Sequence, residues 1–230
     1  IKYAANSFLA LKISYINEIG QLAERVGADI RQVARGMGLD ERIGTRFLQA
    51  GLGWGGSCFG KDTAALIATA AEYGLSMPIV EAARTINRRQ REAVVEKLLA
   101  ELKILKGRTI GLLGLAFKPD TDDLREAPAV DIAKSLMARG CKVKVHDPVA
   151  LEGFRAQNAE NGNLVFCETE EEVADDADAI VLVTEWQQYR SLNWEAIGAR
   201  MRSRIILDGR LALDRNALLQ LGFKYLAIGL

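Results

Sequence analysis

The run Gly53-Trp54-Gly55-Gly56-Ser57-Cys58-Phe59-Gly60-Lys61-Asp62 holds the densest chemical content of this 230-residue sequence. Glycines let a backbone approach a ligand closely, and Cys58 stands just before a helix expected to begin near Asp62. A helix N-terminus carries partial positive charge and Lys61 adds a full one. Both favour the thiolate, the form of cysteine that acts as a nucleophile. Asp62 has the chemistry to accept a proton from water or to orient one, and equally to cap the helix. Two readings of Cys58 stand side by side: an activated nucleophile, or a small hydrophobe packed in a glycine-rich turn.

Lys2 and Asn6 are the next candidates. Their i, i+4 spacing puts them on one helix face, which continues into Leu9, Ile13 and Ile16. A lysine and an amide directed inward can stabilise an oxygen that develops negative charge; a frayed, solvated first turn is the rival reading. Lys118, Arg125 and Arg210 fall at or near the carboxyl ends of expected strands, where open α/β sheets collect ligands and basic groups suit phosphates. Arg84, Arg88, Arg89 and Arg91 read as a solvated or salt-bridged helix face. Cys141 and Cys167 border strands as ordinary buried or edge residues, and His146, the single histidine, suits a structural hydrogen bond. Three scattered cysteines and one histidine build neither a disulfide framework nor a metal site, and no metal is expected.

These groups need elements to hold them. The first half reads as helical: Leu9, Ile13, Ile16, Ala23 and Val26 recur with helical spacing and Gly27 stands where that helix ends. Asp29 is placed to cap a short helix toward Met37, Asp40 a second, and Asp62 to Ala71 forms another closed by Gly74. The glycines from Gly51 to Gly56 force a tight loop. A long helix follows Pro78 and runs to about Leu105, as a domain link or a surface for a partner subunit. From Gly107 the period changes. Strands are expected at Thr109–Leu113, Lys142–His146, Leu164–Phe166, Ala179–Val183, Arg204–Leu207 and Lys224–Ala227, separated by helices or turns. The fold class is therefore α/β, with an all-helical domain over 1–105 and a Rossmann-like, doubly wound parallel sheet over 106–230. The glycines at Gly111 and Gly114 fit the dinucleotide fingerprint poorly, so this sheet is expected to bind something other than NAD.

Composition narrows the partners. Thirty basic and thirty acidic residues cancel, which leaves no overall field for nucleic acid or anionic lipid. Hydrophobic residues at 49% suffice for packed cores. No apolar run is long enough to cross a bilayer and no signal-peptide pattern opens the chain, so the expectation is a soluble, cytoplasmic protein.

The segment Gly53 to Asp62 closely resembles the catalytic-cysteine motif of the UDP-glucose/GDP-mannose dehydrogenase family, the nucleotide-sugar 6-dehydrogenases. The likeness extends over the chain: Lys2-Tyr3-Ala4-Ala5-Asn6, Asp40 to Gly44, Gly114 to Glu126, Asp147-Pro148, Thr184-Glu185-Trp186 and Asp208-Gly209-Arg210 match in order. The resemblance implies oxidation of a sugar C6 alcohol to a carboxylate with two NAD in succession, UDP-glucose being the expected substrate. Carried over, Cys58 attacks the intermediate aldehyde, giving a thiohemiacetal and then a thioester that water hydrolyses. Lys2 and Asn6 stabilise the oxyanions and Asp62 serves the water or proton-transfer step. The loop bearing Gln49, Gly51, Gly53, Trp54 and Gly55 wraps the substrate, which Phe117, Lys118 and Arg210 hold from the second domain. Lys61 and Arg125 resemble residues on the cofactor side. Arg42 resembles one that reaches the partner subunit's substrate in a homodimer built through the long central helix.

Trp54 stands where the family usually has phenylalanine, and Gly60 replaces a common proline. The family's amino-terminal NAD-binding domain has no counterpart in the sequence, so a fragment unable to complete the oxidation alone is expected. Other readings are a GDP-mannose or UDP-N-acetylmannosamine dehydrogenase, a non-catalytic nucleotide-sugar-binding or dimerisation module, and a cysteine hydrolase using His146.

Overall fold

The computed structural model describes residues 1–158 and 162–230. The chain falls into two compact units: residues 1–91 with 228–230, and residues 92–227.

The first unit contains α1 (Lys2–Val26), α2 (Ile30–Gly38), α3 (Phe59–Glu72) and the first part of α4 (Pro78–Leu102). Ala10, Ser14, Ile16, Asn17, Gly20 and Ala23 form the buried stripe of α1, the arc that an amphipathic helix turns toward a core. Gly27 ends α1 at φ 72°, a left-handed conformation that costs glycine little. Asp29 caps α2 by accepting from the Arg31 amide. The chain terminus returns to this unit, where Gly229 N donates to Glu24 Oε1 at 2.6 Å and Gly229 O accepts from Ile30 N.

Two helix expectations change. Asp40 starts no helix: its carboxylate accepts from the Arg42 amide while its carbonyl accepts from Ile43 N and Gly44 N, closing a turn. Gly44 at φ 69° then leads the backbone away from helical propagation. Helix α3 starts at Phe59 with Cys58 as its N-cap, earlier than the expected start near Asp62. Asp62 is therefore inside the first turns, its side chain buried instead of capping.

The second unit begins within α4, which stops at Leu102 because Lys103 turns left-handed at φ 64°. Its sheet comprises β1 (Thr109–Leu113), β2 (Lys142–His146), β3 (Leu164–Phe166), β4 (Ala179–Leu182), β5 (Ile205–Asp208) and β6 (Lys224–Ala227). The order is β3-β2-β1-β4-β5-β6 and every pairing is parallel. Helices α5 (Pro128–Ala138), α6 (Leu151–Gln157), α7 (Glu170–Ala174), α8 (Gln187–Arg190), α9 (Trp194–Arg200) and α10 (Arg215–Gln220) occupy the connections. All residues of β1, β4 and β5 are buried, as central parallel strands require. The strand order reverses between β1 and β4, and ligands of open α/β sheets bind outside the carboxyl ends at such a switch point.

Candidate active site

In the first unit the chemistry gathers around Asp62. Its carboxylate is fully buried. Oδ2 accepts from Asn6 Nδ2 at 2.6 Å and lies 3.7 Å from Lys2 Nζ. Lys61 Nζ lies 4.0 Å from Oδ1, an oxygen that accepts no hydrogen bond among the described residues. Lys2 is 64% exposed at its side chain, so its ammonium reaches a buried carboxylate while most of the side chain stays in water. The spacing of Lys2 and Asn6 thus brings a cation and an amide donor to one anion, and the first turn of α1 is helical rather than frayed. A buried carboxylate with a spare acceptor can hold a water or take a proton.

Cys58 is exposed at the N-cap of α3, its carbonyl accepting from the Asp62 amide at 2.8 Å. Its Sγ lies 3.9 Å from Ser57 Oγ. Cys141 and Cys167 differ in kind: both are buried, and burial pushes each thiol up to about 11.

The loop before Cys58 is held by Asn17, Asn87 and Ser14, which the sequence did not single out, and by Arg91, which was expected on a solvated or salt-bridged face. Gly51 N donates to Asn17 Oδ1, and Trp54 is gripped at its amide and carbonyl by the Asn87 side chain. Arg91 adds a second donor to the Trp54 carbonyl, and the Trp54 indole donates to Ser14. Gly53 and Gly51 are buried and Gly55 half-buried, while Gln49 is exposed. Arg91 is thus buried and Arg84 donates to Gly60 O and Thr63 Oγ1, whereas Arg88 and Arg89 face solvent. The arginine cluster is therefore divided between two tasks. Ser14, Asn17 and Asn87 are buried, as are Ser7, Gln90 and Arg91, and the signal available in the sequence was polar residues recurring at core positions of α1 and α4. Arg42 is exposed and pairs with Asp40 of its own turn, holding that carboxyl below its ordinary range.

In the second unit three loops leave the carboxyl edge of the sheet beside the switch point. After β1, Phe117 N donates to Asp123 O, and Lys118 Nζ lies 5.6 Å from the Phe117 ring centroid. After β5, Arg210 Nε donates to Val183 O at 2.7 Å and lies 3.4 Å from Glu185 of the β4 loop. Arg125 pairs with Asp123 at 2.7 Å, which lowers the Asp123 carboxyl from its ordinary value. Asp147 at the end of β2 braces the β1 loop: Oδ2 accepts from Leu115 N, Ala116 N and the Trp186 indole, and Oδ1 from Val149 N and Ala150 N. His146 is committed to Tyr189, its Nδ1 standing 2.8 Å from the phenol oxygen. Among the described residues no cluster of metal-ligating side chains occurs and no helix is long and apolar enough to cross a membrane.

Residues 1–89 match the model of the UDP-glucose/GDP-mannose dehydrogenase family central domain, and residues 111–215 match that family's UDP binding domain. The chain belongs to the UDP-glucose/GDP-mannose dehydrogenase family. Among curated members it is similar to a UDP-glucose 6-dehydrogenase of Pseudomonas aeruginosa, 46% identical over 99% of this chain and 51% of the relative. A Rickettsia bellii UDP-glucose 6-dehydrogenase is 41% identical over 100% of this chain and 53% of its own length. The chain spans about half the length of these relatives. Among solved structures, a UDP-glucose dehydrogenase from Pyrobaculum islandicum superposes with a TM-score of 0.84 at 43% identity, covering 92% of this chain and 47% of that one. An NDP-N-acetyl-D-galactosaminuronic acid dehydrogenase from Methanosarcina mazei gives 0.85 at 28% identity, covering 99% and 50%. Both family domains thus occur here, the central match bearing the Asp62 cluster and the second match the loops around the switch point.

Proposed function

We propose that the chain forms the substrate-oxidising and nucleotide-binding parts of a UDP-glucose 6-dehydrogenase, with Cys58 as its covalent nucleophile. The observation that carries the reading is the exposed Cys58 at the N-cap of α3, one turn from a buried Asp62 that is bonded to Asn6 and paired with Lys2. Sulfur adds to the C6 aldehyde; the carbonyl pair moves onto oxygen, giving a thiohemiacetal whose oxyanion Lys2 and Asn6 stabilise. After that carbon is oxidised to a thioester, Asp62 takes a proton from water through its spare Oδ1. The water oxygen bonds to the acyl carbon, the C–S bond breaks, and its electron pair returns the thiolate.

Two hydride removals need an acceptor, and the family resemblance implies NAD. The second unit does not fit a dinucleotide at its switch point, because Asp147 already takes the Leu115 and Ala116 amides that would face a pyrophosphate. The steps assigned to this chain are accordingly the covalent ones and the binding of the nucleotide sugar. Phe117, Lys118 and Arg210 hold the uridine diphosphate, Arg210 supplying a planar guanidinium for phosphate oxygens. Gln49, Gly51, Gly53, Trp54 and Gly55 enclose the sugar, and Lys61 and Arg125 contribute on the cofactor side.

UDP-glucose is favoured by identities of 41% to 46% with UDP-glucose 6-dehydrogenases. Structures of a UDP-D-MAnNAc dehydrogenase and a GDP-mannose dehydrogenase share only 28% and 27%. Initial rates of the natural full-length protein on UDP-glucose, GDP-mannose and UDP-N-acetylmannosamine test this. UDP-glucose is expected to give kcat/KM at least about 10-fold above the others; a higher value for either rival overturns the assignment.

A homodimer belongs to the same reading. Beyond Ile79 and Ala82 near its start, the exposed face of α4 carries Glu81, Arg88, Arg89 and Glu92, a more charged seam than that of α1. Phe8, Tyr15 and Leu22 stand exposed on α1 at seven-residue intervals, so α1 is the helix proposed to meet a partner, with Arg42 reaching the other subunit's substrate. Sedimentation equilibrium is expected to give the dimer mass, falling to the monomer in Leu22→Glu; a monomeric parent at micromolar concentration contradicts it.

A further inference from the structure

We propose that Asn87 is a positioning residue for the reaction, a clamp that fixes the backbone of Trp54 and through it the stretch leading to Cys58. The inference rests on the reading of Cys58 as the nucleophile. Asn87 lies on α4 and is 3% exposed. Its Oδ1 accepts from Trp54 N at 2.7 Å and its Nδ2 donates to Trp54 O at 2.9 Å, so one amide satisfies both polar groups of one residue, as a neighbouring strand would.

The approach depends on the residue before. Gly53 has φ +95°, and a Cβ there would stand 2.5 Å from Asn87 Oδ1 and 3.2 Å from its carbonyl oxygen. Glycine at 53 thus supplies both the backbone conformation and the space for the clamp. Gly55 and Gly56, the latter at φ 84°, have no side chains with which to anchor the rest of the loop. Trp54 is the anchor that remains. Its indole donates to Ser14 Oγ, which itself donates to Ala83 O, and its ring meets Phe59 edge-on with centroids 5.9 Å apart. Phe59 follows Cys58 directly and touches Phe47 on its other side, with centroids 6.2 Å apart. Trp54 and Phe59 therefore bracket Cys58 along the chain, and the backbone of the first of them is set by Asn87.

Asn87→Asp separates positioning from packing because it keeps the shape. As a carboxylate it still accepts from Trp54 N but turns an anion toward the Trp54 carbonyl; once protonated, its hydroxyl replaces the lost donor. In the natural full-length protein, kcat for UDP-glucose at about pH 8 is expected to fall about 100-fold, with a smaller rise in KM because Trp54 also belongs to the loop that encloses the sugar. Arg91, whose guanidinium donates to the same Trp54 carbonyl, favours the charged form against its burial, so the ratio to the parent is expected to recover by about 10-fold or more only as pH is lowered toward about 4. Asn87→Ala shows the loss without the recovery. Values of kcat within about threefold of the parent, or matching pH profiles in the two variants, overturn the proposal.

If the parent oxidises no nucleotide sugar, that failure belongs to the proposed function, and the clamp is judged on this chain by iodoacetamide. Only Cys58 is exposed among the three thiols. Its alkylation rate in Asn87→Asp is expected to differ from the parent's by about threefold or more at about pH 8 and to converge with it on acidification. Equal rates across that range, with circular dichroism showing folded protein, overturn the clamp.

Discussion

Steady oxidation of UDP-glucose by the natural full-length protein is expected to fall by at least about 1,000-fold in Cys58→Ser. The serine hydroxyl is protonated at neutral pH and is a far weaker nucleophile toward an aldehyde than a thiolate. Removing a hydride from the alcohol does not require the sulfur, so a slow first oxidation is expected to persist and release the aldehyde. Trapping that aldehyde with a hydrazine, beside the measured kcat, distinguishes loss of the covalent step from loss of binding. Because Cys58 is exposed, the substitution is expected to change stability by less than about 0.5 kcal/mol. A kcat within tenfold of the parent contradicts the covalent role.

The second large effect concerns stability. Asp147→Ala is expected to destabilise the sheet-containing unit by about 3–5 kcal/mol, read as a lower urea midpoint. Asp147 is 2% exposed, and its carboxylate serves four backbone amides and the Trp186 indole. Removing it strands these donors in a buried region, each costing about 1–3 kcal/mol where water does not reach. Asp147→Asn keeps the volume but aims an N–H₂ at donors on one side, so an intermediate loss is expected. An unchanged midpoint in Asp147→Ala would remove the brace from the account of the β1 loop, and with it the reason Phe117 and Lys118 are held at the carboxyl edge.

Much of this architecture is legible in the sequence alone. Gly27, Asp29 and Gly74 punctuate the helices because their conformational and capping preferences act locally. The short apolar runs Thr109–Leu113 and Ala179–Val183 mark buried parallel strands for a similar reason, their hydrophobicity on both faces. The expected strands near 183 and 204 ended or began one residue away, at Leu182 and Ile205. Asp40 is of a type that caps helices and closes turns equally well, and here it closes a turn that Gly44 leads away from helical propagation.

Of the candidate site, the charged and nucleophilic members can be singled out from the sequence, whereas the side chains that support them cannot. Lys2, Asn6 and Asp62 declare themselves by type and spacing. Asn87 and Arg91 do not: whether an α4 arginine meets water or the Trp54 carbonyl depends on what covers that side of the helix, a long-range fact absent from local pattern. Asp62 likewise read as a possible cap, and its burial against Asn6, 56 residues away, is tertiary information.

The proposed covalent step is open to detection by mass. With Asp62 as the proposed proton acceptor, Asp62→Asn in the natural full-length protein is expected to slow hydrolysis of the thioester more than its formation, so that an acyl-enzyme accumulates with UDP-glucose. Acid quenching followed by peptide mass spectrometry is expected to find the uronyl adduct on the peptide bearing Cys58, removable by hydroxylamine. Product formation at the parent's rate with that peptide unmodified, or an acyl group on Cys141 or Cys167 instead, would contradict the role of Cys58.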